Sequence, residues 1–123
     1  MIPKFRVWDK ELKIMCDVLK MDFKNKTLFY HHWAHGVSTE VDLNEVELMQ
    51  STGLKDDFSN ELFEGDIFES RFSEIKYVVY WDDKLASFWI KGESKEHPLY
   101  ALTPFHPRIL GNVFEHKNLL SEE

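Results

Sequence analysis

Three histidines lie close together in one segment of the chain, His31, His32 and His35, with Trp33 and Ala34 between them. Imidazole nitrogens bind zinc, and on a helix the spacing of His31 and His35 lets both rings reach one ion. The surrounding sequence favours a β-strand instead, where residues four apart lie about 13 Å from each other and cannot share an ion directly. We therefore expect no metal site and no other cofactor, with a metal-dependent enzyme at this segment as an alternative.

Acidic residues offer a second possible chemistry, because paired carboxylates serve in glycoside and phosphoryl transfer. Asp82 and Asp83 are adjacent, and Glu64 and Asp66 flank a glycine. Adjacent acids at a strand end point to opposite sides, and acids are common in turns. Cys16 has no nucleophile motif around it and is typical of a small buried hydrophobic residue. We predict no catalytic residues, and the chain is more typical of a binding protein than of an enzyme.

Aromatic side chains could form a base-stacking platform for single-stranded nucleic acid. The candidates are Trp8, Trp33, Trp81, Trp89, Phe29, Tyr30 and Tyr80. Such a platform needs cations beside the rings, but the neighbours here are Asp9, Asp82 and Asp83. We expect most of these rings to pack in the core, and any exposed ring to mark a protein partner.

Charge and composition restrict the partners and the compartment. The 123 residues include 15 Lys and Arg against 22 Asp and Glu, a net charge of -7, which disfavours duplex DNA as a partner. Hydrophobic residues make up 43% of the chain, enough for a folded core. The single cysteine excludes an internal disulfide, and no apolar run approaches the roughly 20 residues of a membrane span. We therefore expect no membrane association and a cytoplasmic location.

The elements that must position these residues are predicted to be short strands. In the first part of the chain, strands at 4–8, 12–23 and 27–33 form a meander, followed by a loop at 36–44. The second part begins with a strand near Val46 that Gly53 ends, and a charged loop follows. The remaining predicted elements are a strand at 62–72, strands at 74–81 and 85–91, a polar loop at 92–98, a strand at 109–114 and a helical turn at 118–120. Within 62–72, Gly65 between two acids predicts a bend with positive φ.

Short strands separated by frequent turn signals predict a mainly β fold, a roll or a barrel. We expect an N-terminal β segment at 1–45, folded as a meander, and a small C-terminal barrel domain at 46–123.

Four segments carry a resemblance to a known family: 2–9, 48–56, 61–67 and 109–115. In this order and at these separations the chain resembles the YopX family, small proteins of bacteriophages and prophages, mostly of Gram-positive bacteria. The resemblance implies an SH3-like barrel after the first β segment, and it implies no activity. Within the four segments, ten residues are expected to form the structural motif: Trp8, Asp9, Gln50, Thr52, Gly53, Glu64, Gly65, Asp66, Gly111 and Asn112.

The chain departs from the family pattern in two places. Residues 57–60 lack the Asn-Gly turn common there, and residues 115–117 lack the usual proline, so the first turn type and the entry to the last turn are open. As a function we expect a non-enzymatic phage accessory protein in the bacterial cytoplasm that binds a host or phage protein, with self-association as a further possibility. Weak binding of single-stranded nucleic acid is an alternative.

Overall fold

The computed structural model describes residues 3–32, 34, 36–37, 40–101 and 105–120. These residues form a mainly β protein, which confirms the predicted fold class, and no α-helix occurs among them. The chain divides into two compact units, residues 1–50 (unit 1) and residues 51–123 (unit 2). The division into an N-terminal β segment at 1–45 and a barrel domain at 46–123 stays a prediction.

Unit 1 contains an antiparallel sheet. Its strands are β1 (Phe5–Asp9), β2 (Ile14–Asp22), β3 (Thr27–His32), β4 (Gly36–Val37), β5 (Val41–Asp42) and the first half of β6 (Val46–Lys55). The spatial order is β4, β3, β2, β1, β6, and β5 pairs with β3. The first three strands form the predicted meander, whereas the predicted loop at 36–44 contains β4, β5 and the start of a 3-10 helix at Leu43–Glu45.

The core of unit 1 follows from the alternation of its strands. Val7 lies opposite Cys16 across the β1–β2 ladder, and paired residues point to the same face of a sheet. Both side chains are buried with Leu28, Tyr30 and Val46 in one hydrophobic cluster. Burial of this face therefore fixes the register of the meander.

Unit 2 contains the second half of β6 and six further strands among the described residues. These are β7 (Glu61–Phe63), β8 (Asp66–Ser70), β9 (Lys76–Asp82), β10 (Ser87–Gly92), β11 (Lys95–Pro98) and β12 (Pro107–Asn112), with 3-10 helices at Leu99–Ala101 and Lys117–Leu119. Strand β7 pairs with β6, and the other five form an antiparallel sheet in the order β11, β10, β9, β8, β12. Phe68, Tyr77, Val79, Ile90 and Leu62 are central to its core.

The five-stranded sheet of unit 2 is open, with β11 and β12 at its edges. No closed barrel forms among the strands of the described residues, so the predicted barrel closure is not seen. The SH3-like likeness stays a prediction.

Two glycines differ from their predicted roles. Gly53 does not end a strand, because β6 continues through it to Lys55 and the ladder shifts register there as a β-bulge. Gly92 was expected in a polar loop, but it ends β10, which forms a hairpin with β11. A Cβ at Gly92 would lie 2.5 Å from the Tyr77 ring, so this position needs glycine for close packing.

Helices long and apolar enough to cross a membrane do not occur in the described part of the chain.

Candidate functional site

Asp9, a predicted motif residue, is a buried anchor of unit 1. Its Oδ1 accepts hydrogen bonds from the backbone N–H groups of Glu11 and Leu12 at 2.9 Å, and its Oδ2 accepts one from the Tyr30 hydroxyl at 2.7 Å. Burial, followed by this hydrogen bond, raises the pKa of Tyr30 above its usual value. The neighbouring motif residue Trp8 is half-buried. Asp9 therefore closes the β1–β2 turn and ties it to β3.

The motif residues of β6 lie at or beside its β-bulge, which falls between Ser51 and Lys55. Thr52 donates its hydroxyl to the Leu62 carbonyl at 2.7 Å, and its oxygen accepts the Leu54 N–H at 3.1 Å. Gly53 has φ +80°, a conformation that favours glycine. Gln50 lies half-buried at the end of the unit 1 part of the strand. These contacts hold β6 and β7 together where their ladder is irregular.

The Glu64-Gly65-Asp66 turn connects β7 to β8. Gly65 has φ +88°, which confirms the predicted positive φ. Its N–H donates to the Val79 carbonyl at 2.8 Å, and the buried carboxylate of Asp66 accepts the Phe63 N–H at 2.8 Å. Glu64 is half-buried. The turn passes the chain from the β6 ladder to the five-stranded sheet, which is a structural role.

Gly111 and Asn112 fix the last turn of unit 2. Asn112 Oδ1 accepts the N–H groups of Phe114 and Glu115 at 3.0 and 2.9 Å, and the Asn112 N–H donates to His116 Nδ1 at 3.1 Å. A Cβ at Gly111 would lie 2.4 Å from that imidazole nitrogen. The sequence left the entry to this turn open. In the structure, the His116 ring packs against Gly111 and fixes it.

Asp56 is a structural residue that the sequence analysis missed. Its carboxylate accepts hydrogen bonds from the N–H groups of Phe58 at 2.9 Å, Asn60 at 2.8 Å and Ile109 at 3.1 Å. Burial alone would raise the pKa of Asp56, but the hydrogen bonds from Ile109 and Asn60 lower it overall. They hold a turn in which Ser59, at φ +68°, stands where glycine would be favoured. The sequence signal for this turn is the spacing of Asp56 and Asn60, an aspartate four residues before an asparagine.

The histidine segment contributes no described site. His35 and Trp33 lie outside the described residues, and His32 Nδ1 accepts the Ala34 N–H at 3.0 Å. Groups of three or more histidine, cysteine or acidic side chains able to hold a metal do not occur in the part of the chain that the structure describes.

The acidic candidate Asp82 and the thiol candidate Cys16 each have described contacts in their own unit. Asp82 Oδ1 caps its turn by accepting the N–H groups of Lys84 and Leu85 at 2.9 Å. Cys16 is buried, and burial raises its pKa, as do the charges of Asp9 and Asp17, so its thiolate is disfavoured. Asp82 therefore stabilises a turn, and Cys16 lies in the hydrophobic core.

A cleft of about 920 Å³ in unit 2 brings together a different set of residues. It is bounded by the turn after β6, the end of β8 with the turn that follows, and the start of β12, where Glu69 pairs with Arg108 across the β8–β12 ladder. Its described lining consists of Asp57, Phe58, Glu69, Ser70, Arg71, Phe72, Ser73, Glu74, His106 and Arg108. This lining contains no predicted motif residue.

Two phenylalanines expose their rings in this cleft. Phe58 is 66% exposed and Phe72 is 71% exposed. The His106 ring meets Phe72 edge-on, with centroids 5.1 Å apart, and the Arg71 guanidinium lies 5.8 Å from the Phe72 centroid. The cleft therefore offers aromatic surface with a cation and a polar ring beside it.

Two pairs of ionisable side chains meet within the cleft. Arg108 bonds to the Glu69 carboxylate, and His106 Nδ1 lies 3.3 Å from Asp57 Oδ2. Arg71 and Glu74 form no ion pair with any described residue.

Serine, histidine and aspartate meet in the cleft, which raises the question of a catalytic triad. Ser70 Oγ donates to the Phe105 carbonyl at 2.6 Å and accepts the Phe72 N–H at 3.3 Å, so it serves the backbone. No described hydrogen bond joins Ser70 to His106, although a nucleophile needs its base within about 3.2 Å. Ser70 and His106 are therefore not joined as a nucleophile and its base among the described contacts.

Fold and site together define a small all-β protein of two antiparallel units, with motif residues in structural roles and an aromatic cleft in the second unit. The chain belongs to the YopX family: the family model described as YopX protein matches residues 4–121, which confirms the resemblance.

The chain is similar to a solved structure described as the crystal structure of protein EF1440 from Enterococcus faecalis. The two share 25% sequence identity with a TM-score of 0.67, and the match covers 98% of this chain and 99% of that one. No curated protein matches the chain significantly in sequence.

Proposed function

We propose that the protein is a non-enzymatic binding module that engages another protein through the cleft of unit 2. The observation that carries this proposal is the exposure of Phe58 and Phe72 on one concave surface. Large apolar side chains grouped on a surface mark protein interaction sites, and aromatic residues dominate the binding energy of such sites. Burial of these rings by a partner would remove apolar surface from water.

The charges of the cleft favour a protein over a nucleic acid. A nucleic acid partner requires several free cations along its phosphates. Arg108 is already bound to Glu69, and His106 faces Asp57, which leaves little free positive charge. The net charge of -7 acts in the same direction.

The biological setting of the proposal comes from the family. Membership in YopX supports an accessory role in a phage or prophage, within the cytoplasm of the bacterial host. The partner is then a host or phage protein, or a second copy of the chain.

The test is capture of a partner from lysate of the host bacterium. It compares the full chain with a variant of the full chain in which Phe58 and Phe72 are both replaced by serine. We expect a partner that the parent retains and the Phe58→Ser/Phe72→Ser variant loses, because the variant lacks the apolar anchors. Quantitative mass spectrometry of the bound fraction measures the difference.

Phe23→Ser is the matched control, because Phe23 is 75% exposed and lies in a turn of unit 1, away from the cleft residues in sequence. It should retain the partner, and thermal melts should show that all variants remain folded. Equal binding by the parent and the double variant would contradict the proposal.

A further inference from the structure

We infer that the protein partner presents a carboxylate side chain beside an apolar side chain to this cleft, and that Arg71 binds the carboxylate. The inference rests on the proposed function and specifies the chemistry of the partner at the same site.

The first argument is charge complementarity. Within the cleft, Arg108 is neutralised by Glu69 and His106 faces Asp57 at 3.3 Å. A partner therefore needs no counter-charge for Arg108. Arg71 is the cation of the described cleft that has no carboxylate, and burying an unpaired guanidinium under a partner would be costly. A carboxylate from the partner removes that cost.

The second argument is the geometry of Arg71. Its backbone N–H donates to the carbonyls of Phe105 and His106, at 3.1 Å to each. These bonds hold the backbone from which the side chain extends. The guanidinium lies near the ring of Phe72, at 5.8 Å from the centroid. A guanidinium beside an aromatic ring keeps N–H donors available for paired hydrogen bonds to a carboxylate.

The third argument concerns the apolar part of the ligand. Phe58 and Phe72 line the same cleft as Arg71, and both rings are mostly exposed. A partner side chain that covers these rings also shields the ion pair from water, which strengthens it. An acidic residue next to an apolar residue in an extended segment therefore satisfies both features of the cleft.

Two acidic side chains of the cleft oppose an acidic ligand: Glu74, which forms no described ion pair, and Asp57, whose partner His106 carries a charge only when protonated. Glu74 also lines a second cavity of about 430 Å³, whose charged lining residues are Lys76, Lys91 and Glu93. The preference for an acidic ligand is therefore the net result of attraction by Arg71 and repulsion by Glu74 and Asp57.

The experiment uses three synthetic peptides of the same length in which leucine alternates with glutamate, with glutamine or with lysine. Their affinities for the full chain are measured by calorimetry at low salt. We expect the glutamate peptide to bind about tenfold more tightly than the glutamine peptide. Arg71→Gln should make these two affinities equal, and added salt should reduce the preference in the parent.

The control is Lys84→Gln, which removes the same charge from the turn between β9 and β10, outside the cleft lining. It should keep the preference for glutamate. A preference for the lysine peptide, or a glutamate preference that survives Arg71→Gln, overturns the inference.

The remaining outcomes separate this inference from the proposed function. Equal binding of all three peptides that is lost in the Phe58→Ser/Phe72→Ser variant refutes the carboxylate partner and leaves the protein-binding cleft standing. No binding of any peptide refutes the inference, and the lysate capture then decides the proposed function separately.

Discussion

The two units differ in how they use buried polar side chains. Among the described residues, unit 1 buries one such side chain, Asp9, whereas unit 2 buries Ser51, Asp56, Asp66, Ser70 and Asn112. The first three strands of unit 1 are joined by short hairpin turns, so backbone pairing satisfies most of its polar groups. In the connections of unit 2, side chains accept hydrogen bonds from, or donate them to, backbone groups that are not paired in a strand ladder.

This difference explains where the cleft lies. Ser70 lines the cleft and holds the carbonyl of Phe105, and Asp56 precedes the lining residues Asp57 and Phe58. The loops that present the exposed rings are thus held by part-buried hydrogen bonds of side chains, together with backbone bonds such as that from the Asp57 N–H to the Pro107 carbonyl. Rigid support of this kind reduces the entropy that a binding surface loses when a partner docks.

The strongest test of the comparison is Asp56→Ala. The substitution leaves the N–H groups of Phe58, Asn60 and Ile109 without their acceptor, and we expect a loss of unfolding free energy on the order of 3 kcal/mol. This corresponds to a melting temperature lower by about 10 °C in a chain of this size. Calorimetry gives the stability, and hydrogen exchange should show a faster Ile109 amide. An unchanged Ile109 amide would show that the carboxylate does not hold β12.

The same carboxylate gives a pH dependence with a defined sign. Because the folded pKa of Asp56 is lowered from 3.8, its contribution to stability is present above that value and is lost as pH falls through the folded pKa. The difference in stability between the parent and Asp56→Asn should therefore be constant near neutral pH and shrink in acid. Denaturant titrations across this range measure it.

A smaller effect is expected for Gly111→Ala. The new Cβ would meet the His116 ring at 2.4 Å, so the ring must move and its hydrogen bond with the Asn112 N–H must weaken. We expect a loss of about 2 kcal/mol. In the His116→Ala background the same substitution should cost clearly less, and a double-mutant cycle measures this coupling. Additive effects of the two changes would exclude the steric explanation.

The smallest effect belongs to the anchor of unit 1. Tyr30→Phe removes one hydrogen bond to Asp9, and the two backbone bonds of that carboxylate remain. We expect a loss of about 1 kcal/mol in unfolding free energy, with no effect on the affinity of the cleft for its ligands. Urea denaturation measures the first quantity and calorimetric binding the second. A loss as large as that of Asp56→Ala would remove the contrast between the units.

The sequence predicted features that depend on local chemistry. Alternation predicts β1, and the absence of helix cap and stop signals around Asp17 and Asp22 favours a strand for β2. The positive φ at Gly65 follows from a glycine between two acids at a break in the strand pattern. Even the helical turn near Leu119 was visible as an apolar pair in a polar tail. In each case a few neighbouring residues determine the structure.

The features that the sequence did not predict depend on distant partners. Strand β11 is polar and short, and only its pairing with β10 makes it a strand. The cleft joins Phe58, Phe72 and His106, which are separated along the chain and meet through the β8–β12 ladder. No local pattern contains such a site, whereas the predicted motif residues Asp9, Asp66 and Asn112 accept hydrogen bonds within turns.

The edge of the sheet at β11 affects how readily the protein aggregates. An edge strand offers free backbone groups that can recruit another chain into a growing aggregate. Strand β11 has four residues, carries Lys95 and Glu96, and ends at Pro98, which has no N–H to donate. Strand addition at this edge is therefore disfavoured. Copies of the chain should therefore not associate by extending the sheet at β11.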